Sequence, residues 1–141
     1  MDYIQDAVNK VVNQSMSRDP FEIAKALGIK VFYHPLSKIK GFILSVYGEN
    51  VIVINSKLSE EAQRVVLAHE LGHYILSPSG SGYFFISQHT LMESQIEYEA
   101  NRFAIELLTG EAEPDEGETI AQYAARLNIP PDMIRYIRYM R

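Results

Sequence analysis

The chain has 141 residues, of which 47% are hydrophobic and 22% charged, a balance suited to one folded domain with a single sizeable core. It contains no cysteine, which excludes a disulfide framework and a thiolate metal site, and no apolar run approaches the ~20 residues of a membrane span. A formal net charge of −5 gives no general attraction to nucleic acid. The opening Met1-Asp2-Tyr3-Ile4 lacks the form of a signal peptide, so a cytoplasmic location is expected.

In chain order, residues 2–16 predict a helix with Ile4, Val8, Val11 and Val12 on its apolar stripe. Asp19-Pro20 reads as an N-cap and first helical residue, opening a short helix stopped at Gly28. Residues 30–34, 41–47 and 51–55 alternate as strands, with Gly48-Glu49-Asn50 as the turn between the last two. They predict a small antiparallel sheet whose exposed edge offers a place for an extended peptide to add as a strand. Residues 59–76 hold no proline; Ser59 is placed to cap a helix there, and Glu60 and Glu61 suit its positive end.

The segment 77–90 is glycine-rich at first and then carries Tyr83-Phe84-Phe85, which either cover a cleft or pack down onto the body. Residues 91–108 predict a second long helix with Ile96, Ala100, Phe103, Ala104 and Leu107 on one stripe. An acidic linker follows over 110–117, with Pro114 in its middle. Thr119 then caps a helix with Ile120, Ala121, Ala124 and Leu127 inward, and Pro130-Pro131 opens a last helix bearing Arg135, Arg138 and Arg141. Three arginines on a terminal helix read as a solvated or partner-facing surface, and direct nucleic-acid binding is not expected. The expected organisation is a core over 1–109 and a C-terminal helical segment over 110–141, packed on or extending the same domain.

The chemistry concentrates in His69-Glu70-Leu71-Gly72-His73, an H-E-x-x-H pattern inside the helix at 59–76. Residues four apart share a helical face, so the two imidazoles can converge on one Zn²⁺, and both fall in the apolar stripe with Ala62, Val65, Val66 and Leu76. Glu70 points about 100° away around the axis, where it flanks the metal and can take a proton from water there. Gly72 is costly in mid-helix, by about 0.8–1 kcal/mol relative to alanine, and makes sense if another backbone packs closely against it.

A hydrolytic zinc commonly takes three protein ligands and keeps an open position. Leu76 and Ser79 stand where an extended H-E-x-x-H-x-x-G-x-x-H site needs Gly and His, which excludes that class. The candidates left are His34, His89, Glu93, Glu97, Glu99 and Glu106. Glu97 projects into the apolar stripe of its helix and ranks first, ahead of His89, then Glu93 and Glu99. Asn101, four residues after Glu97, is placed to accept a hydrogen bond from a ligand imidazole.

The run Val51-Ile52-Val53-Ile54-Asn55, then Leu67-Ala68-His69-Glu70-Leu71-Gly72-His73, then Glu97-Tyr98-Glu99-Ala100-Asn101-Arg102-Phe103-Ala104 with Leu107-Leu108, resembles the ImmA/IrrE-type metalloendopeptidase family. The resemblance covers about residues 20–109, with the motifs in the family's order. It departs where Thr109-Gly110 follows Leu107-Leu108 in place of the family's Met-Pro. It implies an α+β fold, a small three-stranded antiparallel sheet packed on a mainly helical zincin-like domain. It also implies His69, His73 and Glu97 as zinc ligands and Glu70 as general base. The implied function is zinc-dependent endopeptidase cleavage of a regulatory protein, such as a helix-turn-helix transcriptional repressor. The alternative is a non-catalytic anti-repressor or interaction module that keeps the same fold.

Overall fold

In the computed structural model, residues 2–76, the backbone of 85–87, and residues 94–110 and 112–137 are described. Helix α1 (Tyr3–Ser15) is capped by Asp2, whose carboxylate accepts from the Gln5 N–H at 2.9 Å, and it buries Ile4, Val8 and Val11. Helix α2 (Pro20–Ala26) starts as the Asp19-Pro20 pair predicts, with the Asp19 side chain accepting from the Phe21 N–H at 3.0 Å.

Strands β1 (Lys30–His34), β2 (Gly41–Val46) and β3 (Glu49–Asn55) lie where the alternation places them, but their pairing corrects the all-antiparallel expectation. The sheet is mixed, with β3 lying between β1 and β2, and β1 runs parallel to β3, from Lys30 opposite Val51 to His34 opposite Asn55. The cause lies in residues 35–40, which cross the end of β3 instead of forming a hairpin. Asn55 pins that crossing: its Nδ2 donates to the carbonyls of Leu36 (3.2 Å) and Ile39 (3.0 Å), while its Oδ1 accepts from the Leu36 N–H at 3.2 Å. A fourth strand, β4 (Phe85–Ser87), pairs antiparallel with the start of β2 and completes the order β1-β3-β2-β4, a strand that the sequence of 77–90 does not predict.

The β2–β3 turn is shorter than expected. Tyr47 and Gly48 form it, both at positive φ (50° and 81°), and Val46 pairs with Glu49. Two successive left-handed residues match the twist of paired strands, and Glu49 and Asn50 thereby join the ladder.

Helix α3 (Glu60–Leu76) begins at Ser59, whose Oγ accepts from the Ala62 N–H at 3.2 Å. Helix α4 (Gln95–Thr109) begins at Ser94, whose Oγ accepts from the Glu97 N–H at 3.1 Å. The sheet contributes Ile43, Ile52 and Ile54 to the core, α3 contributes Leu67 and Leu71, and α4 contributes Phe103, Ala104 and Leu107, all buried.

Helix α5 (Ile120–Arg126) carries a capping box between Thr119 and Gln122. Its inward face differs slightly from the expected one: Ala124 is buried, Ile120 and Leu127 half-buried and Ala121 exposed, while Tyr123 turns in and donates to the Ala112 carbonyl at 2.7 Å. After Pro130 the chain forms a 3-10 helix (Pro131–Tyr136), and Met133, Tyr136 and Ile137 join the same core cluster. Arg138 and Arg141 lie outside the described residues. Among the described residues no helix is long and apolar enough to cross a membrane.

Candidate metal centre

Helix α3 brings His69, Glu70 and His73 to the interior, with exposures of 7%, 0% and 1%. Helix α4 brings Glu97 in its first turn, directly opposite the two imidazoles. Glu97 Oε1 lies 2.9 Å from His69 Nε2, Glu97 Oε2 lies 2.9 Å from His73 Nε2, and the two Nε2 atoms are 3.1 Å apart. The rings meet edge to face, with centroids 4.7 Å apart. One ligand atom from each of the three residues lies within 4.8 Å of the others.

This donor set fits a divalent ion. Ligand atoms held at about 2.0–2.1 Å from a tetrahedral zinc stand roughly 3.3 Å from one another, a few tenths more than the separations seen here. Two imidazole nitrogens and one carboxylate supply one negative charge and leave a fourth position open, the pattern of a hydrolytic site rather than a closed structural one.

The electrostatics favour a cation as well. Burial works against the charged form of Glu97, but its hydrogen bonds to His69 and His73 prevail and hold its carboxyl down to about 2. Burial pushes His69 below the usual histidine value, against the opposing pull of Glu97. At neutral pH these two residues therefore present a carboxylate and an uncharged imidazole, the forms a metal needs.

The other sequence candidates are held elsewhere or are not described. His34 is exposed at the end of β1. Glu99 accepts from the Tyr3 hydroxyl and from Gln95 Nε2 (2.8 Å), and the bond to Glu99 raises the Tyr3 hydroxyl to about 12. Glu106 pairs with Arg102 at 3.3 Å. His89, Glu93 and the side chains of Tyr83, Phe84 and Phe85 lie outside the described residues.

Helix α4 is tied down along its length. Arg102 pairs with Asp2 at 2.9 Å, which links the helix to the cap of α1. Arg18 donates to the carbonyls of Glu106 (3.0 Å) and Leu107 (3.2 Å), a cation at the negative end of the helix. The Asn101 side chain reaches His69, where it counters part of the effect of burial on that imidazole. It also donates from Nδ2 to the Tyr136 hydroxyl at 2.9 Å. Sequence reasoning missed Tyr136, and no local signal marks it, because it meets α4 only through the packing of the C-terminal segment.

Residues 24–136 match the IrrE N-terminal-like domain, a peptidase family. The chain is 34% identical over 106 residues to the uncharacterized immunity region protein 2 of Bacillus phage phi105, a match spanning 74% of this chain and 67% of that protein. It is 25% identical over 139 residues to Metallopeptidase ImmA of Bacillus subtilis (strain 168), spanning 94% of this chain and 82% of that protein.

Proposed function

Because the chain belongs to the IrrE N-terminal-like family of metallopeptidases, we propose that it is a zinc-dependent endopeptidase whose substrate is a regulatory protein such as a helix-turn-helix repressor. The observation that carries this reading is the convergence of His69, His73 and Glu97 within 4.8 Å beside a fully buried Glu70. His69, His73 and Glu97 would hold the metal, which supplies a Lewis acid for the scissile carbonyl and acidifies water. Glu70 accepts a proton from the water that attacks the carbonyl carbon. As the C–N bond breaks, Glu70 returns that proton to the departing amine. The products are a new carboxylate and a new amino terminus.

The relatives' names support a repressor-type substrate: one belongs to a phage immunity region and another is called Metallopeptidase ImmA. Residues 1–109 would form the catalytic core, with 110–141 extending the same domain, in a protein of the cytoplasm. A pure anti-repressor that works by binding needs none of the four site residues, so their joint presence favours hydrolysis.

The deciding experiment compares the wild type with Glu70→Gln for zinc content and for cleavage of a repressor encoded beside it. The expected result is full zinc retention with cleavage reduced by about 10²–10⁴-fold. De-repression that survives Glu70→Gln with zinc still bound would show that hydrolysis is not the activity.

A further inference from the structure

We propose that Tyr136 is a positioning residue for the metal centre, acting through Asn101 on His69. The proposal rests on the zinc-peptidase reading of the site. Its geometry is a relay of side chains. Tyr136 accepts from Asn101 Nδ2 at 2.9 Å, which commits the amide nitrogen and leaves the amide oxygen as the acceptor for His69. His69 Nε2 already faces Glu97 and His73, so Nδ1 is the nitrogen left for Asn101. A proton held on Nδ1 leaves the Nε2 lone pair for the metal, and the same bond fixes the rotation of the ring.

Packing explains why the hydroxyl stays where Asn101 needs it. Tyr136 is 3% exposed, and its neighbour Ile137 is 5% exposed in the same core. Its ring lies against Tyr98, with centroids 5.8 Å apart, and under the Arg135 guanidinium at 4.5 Å. The 3-10 helix thus places a phenol beside the ligand helix from 35 positions further along the chain. Moving that hydroxyl would release the amide, and the amide would release the imidazole.

The test measures zinc affinity by competition with a chromophoric chelator, together with the Co²⁺ absorption spectrum, for full-length variants. Asn101→Ala is expected to weaken zinc by about 10–100-fold, and Tyr136→Phe, which keeps the ring, by roughly 5–10-fold. In the Asn101→Ala background, Tyr136→Phe is expected to add nothing, because its effect passes through the amide. Asn101→Asp restores an acceptor for His69 and accepts a hydrogen bond from the Tyr136 hydroxyl, so it is expected within about threefold of wild type. Ile137→Val loosens the same segment without touching the hydroxyl and is expected to leave zinc affinity and the Co²⁺ spectrum unchanged.

Wild-type affinity in Tyr136→Phe, additive losses in the double variant, or an equal loss in Ile137→Val would overturn the relay. Asn101→Asp as weak as Asn101→Ala would also overturn it, and that measurement stands even if Tyr136→Phe fails to fold. A wild type that takes up no zinc would instead overturn the underlying reading of the site.

Discussion

Gly72 of α3 lies against the backbone of Ala100 on α4. A methyl group built on Gly72 would stand 3.1 Å from the Ala100 carbonyl oxygen and 3.2 Å from its Cα. This close approach sits between His69 and His73 on one helix and just past Glu97 on the other, so it sets the span from imidazoles to carboxylate. Gly72→Ala gains about 1 kcal/mol of helix propensity but overpacks the contact at a cost of about 1–3 kcal/mol. The expected result is a small loss of apo-protein stability, on the order of 0–2 kcal/mol, with a loss of zinc affinity of about tenfold or more. Thermal melts beside chelator competition check both. Unchanged affinity would mean that the helices can part without moving the proposed ligands.

Neighbouring glutamates of α4 should behave differently. Glu97→Ala is expected to abolish stoichiometric zinc, because it removes the carboxylate facing both imidazoles. Glu99→Ala is expected to keep zinc, because Glu99 is committed to Tyr3 and Gln95. Its cost should be the ordinary one of a lost hydrogen bond, about 0.5–1.5 kcal/mol. Metal analysis of the purified variants decides. Zinc retained in Glu97→Ala would reassign the third ligand.

Metal removal should show in the melting curve. An ion supplied at about 1,000 times its Kd stabilises the folded state by roughly 4 kcal/mol, which for a domain of this size is a fall of about 10–15 °C in Tm on chelation. Glu97→Ala is expected to show no such fall. Equal sensitivity of wild type and variant to chelator would place the ion elsewhere.

The pH response of the C-terminal region should report one ion pair. The Arg126 guanidinium donates to Glu118 at 2.9 Å, and the Asp115 N–H donates to it at 2.7 Å; these bonds hold the Glu118 carboxyl at about 2. A carboxyl depressed on folding contributes stability that is complete above its unfolded value of 4.5 and is lost as pH falls toward 2. Arg126→Met should return the Glu118 midpoint toward 4.5 and remove that part of the acid dependence. A carboxyl-resolved NMR titration checks this. A midpoint unmoved by Arg126→Met would show that Arg126 is not its cause.

Much of the candidate site was legible because helices translate spacing into direction. The four-residue step from His69 to His73, Glu97 on an apolar stripe, Asn101 one turn later and a glycine amid large residues each fix a direction without tertiary knowledge. The ImmA/IrrE resemblance drew on the same runs, and the family match covers residues 24–136. The pairing of strands was less legible. Alternation reveals that 30–34 is a strand but not which strand lies beside it, and the crossing pinned by Asn55 is a tertiary bond. The turn moved by one residue because Tyr47 accepts a positive φ that sequence reasoning assigns first to glycine or asparagine. The three-residue β4 gives no alternation to read, and Tyr136 acquires its partner only after the C-terminal segment docks.

The bonds along α4 carry a practical consequence for engineering. Glu97 rides on a spar gripped from the amino-terminal side by Asp2, Tyr3 and Arg18 and from the carboxy-terminal side by Tyr136. Cutting the protein back to its two motif-bearing helices would keep His69, His73 and Glu97 yet remove the grips that aim them. A domain fused near either gripping segment would be mechanically coupled to the proposed metal site, so such a fusion is a natural place to build a protease whose metal affinity answers to a bound partner.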